Sequence, residues 1–189
     1  MLPEYNTRLC QVGALLISYR ARFYDSLGKA AAQYHDRFSG GAEEFRLQYK
    51  TVSTVSDPFA PVQQLTQDLL DHQASHHRAE IESGQCLTGP HKDDFTVPLS
   101  GIDLKAYGSQ GQTRTAAISL KLAQRELMAR EWGEEPVLLL DDVLSELDQG
   151  RQDFILNQIT SGQVFITCCE PGRFTKLGKT IEIEKGKII

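Results

Sequence analysis

Two adjacent carboxylates, Asp141 and Asp142, directly follow a short apolar run and are well placed to do chemistry. The run occupies residues 137–140 and is preceded by Pro136. A short apolar segment bounded in this way predicts a strand that is buried on both faces. Ligands of open α/β sheets bind at the carboxyl ends of strands, so the two acids are expected at such an edge. Adjacent carboxylates repel each other, and Mg²⁺ with a bound phosphate would compensate that repulsion.

The same stretch has an alternative interpretation that needs no ligand. A strand followed by a helix N-cap also places acidic side chains at a helix start, where the helix dipole favours them. Asp148 fits such a cap, ahead of a helix predicted over 149–160. Taken alone, this stretch supports a nucleotide site and a plain strand–helix connection about equally.

A second candidate for chemistry is a loop that contains Ser109, Gln110, Gly111 and Gln112. It opens a predicted helix that runs to about Trp132. The free N–H groups of a helix start, together with a glycine that lets the backbone approach closely, suit a phosphate. Alone the loop is weak evidence, because Gly- and Ser-containing turns are common.

A long helix is predicted near the start of the chain, over residues 5–38. Apolar residues recur there at steps of three and four, and Gly40 and Gly41 end the pattern. The residues expected to face the core are Leu9, Val12, Leu15, Leu16, Tyr19, Phe23, Leu27 and Ala30.

Shorter elements complete a mixed chain of the α/β (α+β) class, which holds one domain or two small ones. Gly84 is a plausible helix stop, and Ser100 with Gly101 predicts a tight hairpin turn. The other predicted elements are a strand over 44–52, a helix over 61–83, a hairpin over 94–106, a buried strand over 163–167, and a hairpin over 180–189 that turns at Lys185 and Gly186.

The composition indicates an ordinary cytoplasmic globular protein. Apolar residues make up 40% and charged residues 24% of the chain, and the net charge of −5 excludes a strongly basic nucleic-acid binder. No apolar run is long enough for a membrane span, and no signal peptide is visible. The four cysteines fit neither a zinc site nor a disulfide frame, which favours free thiols: Cys10, Cys86, Cys168 and Cys169.

Three histidines on the second predicted helix offer a possible metal site. His72 and His76 are one turn apart, which is the spacing of a metal-binding pair, and His77 is adjacent. No acidic third ligand stands at a matching position. A polar, solvent-exposed helix is therefore the favoured interpretation.

The order of the two candidate sites resembles the second half of an ABC-type ATPase head. Residues 109–112 match the signature loop, 138–142 match the Walker B strand, and 145–148 match the D-loop. With the run Gly-Pro-His-Lys-Asp-Asp-Phe at 89–95, the resemblance narrows to the RecF family of bacterial DNA replication and repair ATPases. It covers the whole chain. It implies a partial P-loop ATPase head over 87–189 with an attached helical lobe over 1–86.

The resemblance implies roles for the residues in these motifs. Asp141 would hold Mg²⁺, and Asp142 would position the attacking water where most ABC proteins have Glu. A shorter carboxylate fits a slow, switch-like ATPase. The signature residues would reach the γ-phosphate bound to a partner subunit, and Ser145 and Asp148 would act across the same dimer interface. The signature residues are Ser109, Gln110, Gly111 and Gln112.

The family also implies partners. ATP would hold two chains together as a dimer on single-stranded or gapped DNA, and RecO- and RecR-type proteins would cooperate in recombinase loading. Basic residues of the long helix are the candidate DNA surface, although a solvated helix face is the favoured interpretation of them. These residues are Arg8, Arg20, Arg22 and Lys29.

Two departures from the ABC pattern limit what the chain is expected to do. No Gly-x-x-x-x-Gly-Lys-Ser/Thr motif occurs, so the phosphate loop that RecF carries near its N-terminus is missing. The chain is therefore expected to correspond to the C-terminal portion of such a protein, inactive as an ATPase on its own and with open sheet edges. Cys168 and Cys169 stand where ABC proteins often have a switch histidine, so no such residue is assigned.

Two alternatives to a RecF-type ATPase stay open at this point. The chain could be a non-catalytic dimerisation or regulatory module derived from an ABC-type head. It could also be a metal-dependent nuclease or hydrolase built on the acids Asp93, Asp94, Asp141 and Asp142.

Overall fold

A computed structural model of the chain describes residues 2–144, 147–158, 161–169 and 178–189. The chain divides into two compact units, Met1–Leu127 and Met128–Ile189. Across the described ranges, no helix is both long enough and apolar enough to cross a membrane. The predicted division into a lobe over 1–86 and a half head over 87–189 is a functional one and stays a prediction.

Helices dominate the first unit. Both of its predicted long helices are confirmed, and Gly84 ends the second of them with a left-handed φ of 65°. Its elements are α1 (Leu2–Ser39), β1 (Gln48–Lys50), α2 (Val62–Ser83), a single 3-10 turn (Pro90–Lys92), β2 (Asp94–Thr96), β3 (Pro98–Leu99), β4 (Ile102–Asp103), α3 (Leu104–Tyr107) and most of α4 (Gln110–Trp132).

α1 packs against α2 with small side chains in between. Cys10, Ala14 and Ile17 are buried on this face of α1. A Cβ atom on Gly13 would lie 3.3 Å from Leu69 Cδ1 of α2, which is tighter than most side-chain contacts. The two helices therefore come too close for a row of large residues between them.

The prediction of which face of α1 is buried is wrong over the first half of the helix, because of this close packing. The large apolar residues point away from α2, with exposed fractions of 37% or more, because the small residues occupy the contact. The exposed residues are Leu9, Val12, Leu15, Leu16, Tyr19 and Phe23. Leu27 and Ala30, in the second half of the helix, are buried as predicted and pack in a cluster with Phe45.

The predicted hairpin forms, but it is shorter than expected. β3 pairs antiparallel with β4, and the turn uses left-handed φ values of 48° at Ser100 and 85° at Gly101. β2 pairs with β1 instead of continuing into the hairpin. The strand predicted to reach residue 106 is wrong beyond Asp103, because the Asp103 carboxylate accepts a hydrogen bond from Lys105 N at 3.1 Å and caps helix α3.

The described residues of the second unit include a parallel strand pair, a helix and a terminal hairpin. β5 (Leu138–Asp141) pairs with β6 (Val164–Thr167), and α5 (Gln149–Gln158) lies between them in sequence. The predicted terminal hairpin is confirmed as β7 (Ile183–Glu184) and β8 (Lys187–Ile188).

The prediction that β5 is buried on both faces is wrong. Leu138 and Leu140 are buried, but Leu139 is 70% exposed and its register partner Phe165 is 51% exposed. β5 pairs with β6 alone within the described part of the chain, and its alternating burial shows that one face of this sheet is covered. The open sheet edges expected from the sequence are present there.

Candidate nucleotide site

The signature loop, residues 109–112, caps its own helix. Ser109 precedes the first turn of α4, and its Oγ accepts a hydrogen bond from Gln112 N at 3.2 Å. Gln112 Oε1 in turn accepts from Ser109 N at 3.0 Å. This reciprocal pair is a capping box, which satisfies two N–H groups that a helix start leaves open. The Ser109 hydroxyl keeps its own proton to donate to an anion.

The Gln112 side chain is held by hydrogen bonds to residues from earlier in the chain. Its Nε2 donates to Glu43 Oε1 at 2.8 Å, and Glu43 Oε2 lies 2.9 Å from His35 Nε2. His35 is completely buried on α1, and its Nδ1 has no hydrogen-bond partner among the described residues. Because a carboxylate oxygen can only accept, His35 Nε2 donates the hydrogen bond to Glu43. The orientation of the Gln112 amide is thereby fixed.

Gly108 joins α3 to the signature loop at a point of close approach. Its N–H donates to Leu104 O at 3.0 Å. A Cβ atom at this position would lie only 2.6 Å from the same carbonyl oxygen and from Leu104 Cδ1. The glycine is needed here for space and not for an unusual φ, which is −70°.

A second candidate site is the acid edge, formed by Asp141, Asp142 and Thr167. The register of β5 and β6 places Thr167 beside Asp141 at the carboxyl ends of both strands. Thr167 Oγ1 donates to Asp141 Oδ1 at 2.6 Å and accepts from Asp142 N at 2.9 Å. Asp142 has a left-handed φ of 50°, a conformation that non-glycine residues seldom adopt.

The acid edge fits a hard cation that brings some of its own ligands. Asp141 and Asp142 are both exposed and offer carboxylate oxygens, which Mg²⁺ prefers. No group of three or more His, Cys, Asp or Glu side chains suited to a metal occurs within the described ranges. Two carboxylates without a third protein ligand suit an ion whose other ligands are phosphate and water.

Asp148 acts as a helix cap in the structure. Its Oδ1 accepts a hydrogen bond from Arg151 N at 3.0 Å, as expected for the residue that precedes α5. The cap predicted from the sequence is confirmed, and it is compatible with a further role at a dimer interface. Ser145, the other predicted D-loop residue, lies outside the described residues.

The four basic residues predicted to contact DNA differ in their surroundings. Arg8 and Arg22 are exposed on α1. Lys29 pairs with Asp25, the Nζ and Oδ2 atoms being 2.7 Å apart. Arg20 donates to Asp93 Oδ2 at 2.7 Å and also to a backbone carbonyl of the 90–93 turn. DNA binding by these residues stays a prediction.

Asp93 and Asp94, the acids of the nuclease alternative, have protein partners. Asp93 accepts hydrogen bonds from Arg20 and from the Tyr49 hydroxyl, and its side chain is only 4% exposed. The hydrogen bond to Asp93 raises the pKa of Arg20. The Phe95 backbone N–H, and then Lys105, lower the pKa of the Asp94 carboxyl.

The histidine pair on α2 is held by protein contacts. The rings of His72 and His76 stack with centroids 3.9 Å apart. His72 Nδ1 lies 2.8 Å from Thr88 Oγ1, and burial followed by the neighbouring His76 lowers the pKa of His72. This geometry indicates that the two histidines have a structural role in packing α2.

Three supporting residues were not predicted from the sequence: His35, Glu43 and Thr167. Glu43 and Gln112 are 69 residues apart, and no local pattern links them. Thr167 could have been predicted from the sequence, because it is a polar residue at the end of a second predicted strand. The carboxyl ends of parallel strands meet at one edge of a sheet, so it belongs beside the acids.

Comparison with known proteins shows which proteins the chain resembles. No family model matches the chain. It is 33% identical over 192 residues to the DNA replication and repair protein RecF of Clostridium acetobutylicum, covering 100% of this chain and 51% of that protein. It is 42% identical over 168 residues to RecF of Bacillus subtilis (strain 168), covering 88% of this chain and 45% of that protein.

Solved structures match the fold as well. The recombination mediator protein RecF of the RecFOR pathway, bound to the ATP analogue ATPrS, superposes with a TM-score of 0.82 and 29% identity, covering 99% of this chain and 49% of that one. The structure named RecF-ATP gives a TM-score of 0.78 and 31% identity, and the match covers 89% of this chain and 44% of that one. The chain spans about half the length of the relatives that it matches.

The fold and the two motif sites define an ABC-type ATPase head, of which this chain carries a part. Within that class the chain is RecF-like, and it matches the C-terminal half of RecF. The curated relatives function in DNA replication and repair.

Proposed function

We propose that this chain supplies the signature loop, Walker B strand and D-loop of an ATP-dependent DNA-binding protein of recombinational repair. The observation that carries the proposal is the acid edge, where paired carboxylates end a parallel strand and no third protein ligand stands among the described residues. The solved relatives whose names include ATP support the choice of nucleotide.

In this proposal the acid edge serves a nucleotide bound to the same polypeptide. Mg²⁺ would neutralise charge on the phosphates, and Asp141 would hold that ion directly or through water. Asp142 would orient the water that attacks the γ-phosphate. Its backbone has a left-handed conformation, with a φ of 50°.

The signature loop would serve the nucleotide of a partner subunit. Ser109 would donate its hydroxyl proton, and the N-terminus of α4 would favour the phosphate charge near Gln110 and Gly111. Gln112 would hold Ser109 in place through the capping box. Asp148 and Ser145 would contribute at the same interface. ATP binding would thus join two chains, and hydrolysis would release them.

DNA and partner proteins belong to the same proposal. DNA at single-stranded gaps or junctions would be the ligand of the assembled dimer, in the cytoplasm, and RecO- and RecR-type proteins would assist recombinase loading. The RecFOR pathway named for the solved relatives supports this assignment. Arg8 and Arg22 are the predicted DNA contacts with exposed guanidinium groups.

Association measurements on a completed polypeptide test the proposal. The chain is joined in frame behind the phosphate-loop half of the Bacillus subtilis relative, and sedimentation is measured with and without ATP and Mg²⁺. We expect ATP-dependent dimers and their loss in Ser109→Arg, because the added cation fills the position proposed for a phosphate. Ser53→Arg, on an exposed turn, is the matched control.

Two outcomes would count against the proposal. Unchanged dimerisation of Ser109→Arg would remove the signature-loop assignment. Dimerisation that does not respond to nucleotide would favour the non-catalytic module instead.

A further inference from the structure

We infer that Thr167 is a positioning residue that fixes both carboxylates of the acid edge through its single hydroxyl group. The inference rests on the proposed nucleotide site for its functional meaning. Its geometry is independent of that proposal, because it involves only β5, β6 and the residue that follows β5.

The directions of the two hydrogen bonds follow from chemistry. A backbone N–H can only donate, so Thr167 Oγ1 must accept from Asp142 N across their 2.9 Å separation. The hydroxyl has one proton, and the 2.6 Å contact to Asp141 Oδ1 receives it. One side chain therefore accepts from the backbone of one acid and donates to the carboxylate of the other.

The contact to Asp142 holds a backbone in an unusual conformation. The left-handed region is unfavourable for residues with a Cβ atom, and Asp142 has a φ of 50°. A hydrogen bond to the Asp142 N–H offsets part of that strain. Loss of the hydroxyl would let Asp142 relax toward an extended backbone, which would turn its carboxylate away from its present direction.

The contact to Asp141 selects between the two oxygens of that carboxylate. Because Oδ1 is engaged by Thr167, Oδ2 is left to face a cation or its water ligands. A carboxylate held through one oxygen also loses less rotational freedom when it binds an ion. Thr167 thus prepares Asp141 for metal binding without being a ligand.

The sheet provides few other constraints at this edge. Asp141 and Thr167 form the last of four register pairs in a sheet that has only two described strands. Thr167 is exposed to solvent, so water competes for its hydrogen bonds. The expected effects are therefore modest, confined to the edge and separable from a loss of folding.

Two variants of the 189-residue chain separate positioning from general stability. Thr167→Val keeps the β-branched shape and removes both hydrogen bonds, whereas Thr167→Ser keeps the hydroxyl. Thr180→Val, at an exposed position without regular structure, is the matched control. Amide hydrogen exchange is measured by NMR across β5 and β6, followed by line broadening during titration with Mn²⁺ as a paramagnetic substitute for Mg²⁺.

We expect faster exchange in Thr167→Val at the Asp142 amide, with unchanged exchange at residues 138–140. Mn²⁺ should broaden the Asp141 and Asp142 amides at about fivefold higher concentration in this variant, as loss of a charge-assisted hydrogen bond implies. Thr167→Ser and Thr180→Val should behave like the unchanged chain.

Normal Asp142 exchange in Thr167→Val would overturn the inference, and so would faster exchange along the whole of β5. An absence of Mn²⁺ broadening in the unchanged chain would count against the metal role of Asp141 in the proposed function. The exchange measurement would still decide whether Thr167 positions the acids.

Discussion

The signature loop and the acid edge are supported in very different ways. Four hydrogen-bonded residues run from Ser109 at the loop surface through Gln112 and Glu43 to the buried ring of His35. At the acid edge, one exposed hydroxyl contacts the Asp141 carboxylate and the Asp142 backbone N–H at the end of a sheet with two described strands. The loop is thus anchored in the interior of its unit, whereas the acids depend on a local contact.

The difference follows from the physics of helices and sheets. A helix start can satisfy its open N–H groups with residues three positions apart, so it is complete within its own sequence. A sheet edge is stabilised by neighbouring strands, and two strands alone make a weak platform. The signature loop can therefore be formed before any partner arrives, while the acid edge gains most from additional structure.

The largest expected loss of stability concerns β5, which is covered on one face only. Leu140→Ala removes a side chain that is 4% exposed and should lower the free energy of unfolding by about 3 kcal/mol. Leu139→Ala, the neighbouring control, should cost less than about 0.5 kcal/mol because that side chain is already in water. Urea titration of both variants checks this, and equal losses would show that both faces are buried.

A smaller loss of stability is expected when the hydrogen bond between Glu43 and Gln112, behind the signature loop, is removed. Glu43→Ala leaves His35 without its hydrogen-bond partner and should cost about 1–2 kcal/mol in urea unfolding. The amides of Ser109 and Gln112 should also exchange faster, because the orientation of the Gln112 side chain is no longer fixed.

The adjacent residue provides a matched control for this prediction. Glu44→Ala removes an exposed ion pair with Arg46, in which both side chains are 64% exposed, and should cost less than about 0.5 kcal/mol. Similar exchange rates in the Glu43 and Glu44 variants would contradict the anchoring of the loop through Glu43.

The sequence alone was sufficient for elements whose signals are local. α1, α2 and α4, the stop at Gly84 and the Asp148 cap all follow from periodicity and capping residues a few positions apart. The order of the motifs was also sufficient to identify the family. These features need no knowledge of which distant segments meet.

The errors arise where tertiary contacts decide. The apolar stripe on α1 has a correct helical period, but close packing with α2 selected the small residues on another face. The apolar composition of β5 suits a wider sheet than the one that the described strands form. The link from Gln112 to Glu43 has no local pattern, so only a three-dimensional structure could reveal it.

The central claim is that the acids serve a nucleotide on their own polypeptide while the signature loop serves the partner's nucleotide. Mixing two inactive variants of the completed polypeptide, Ser109→Arg and Asp142→Asn, tests it directly through ATP turnover. In a mixed dimer, one of the two sites would combine an intact acid edge with an intact signature loop. We predict that mixing restores turnover that neither variant has alone. If the mixture stays as inactive as its components, the two regions do not act on opposite subunits and the account is wrong.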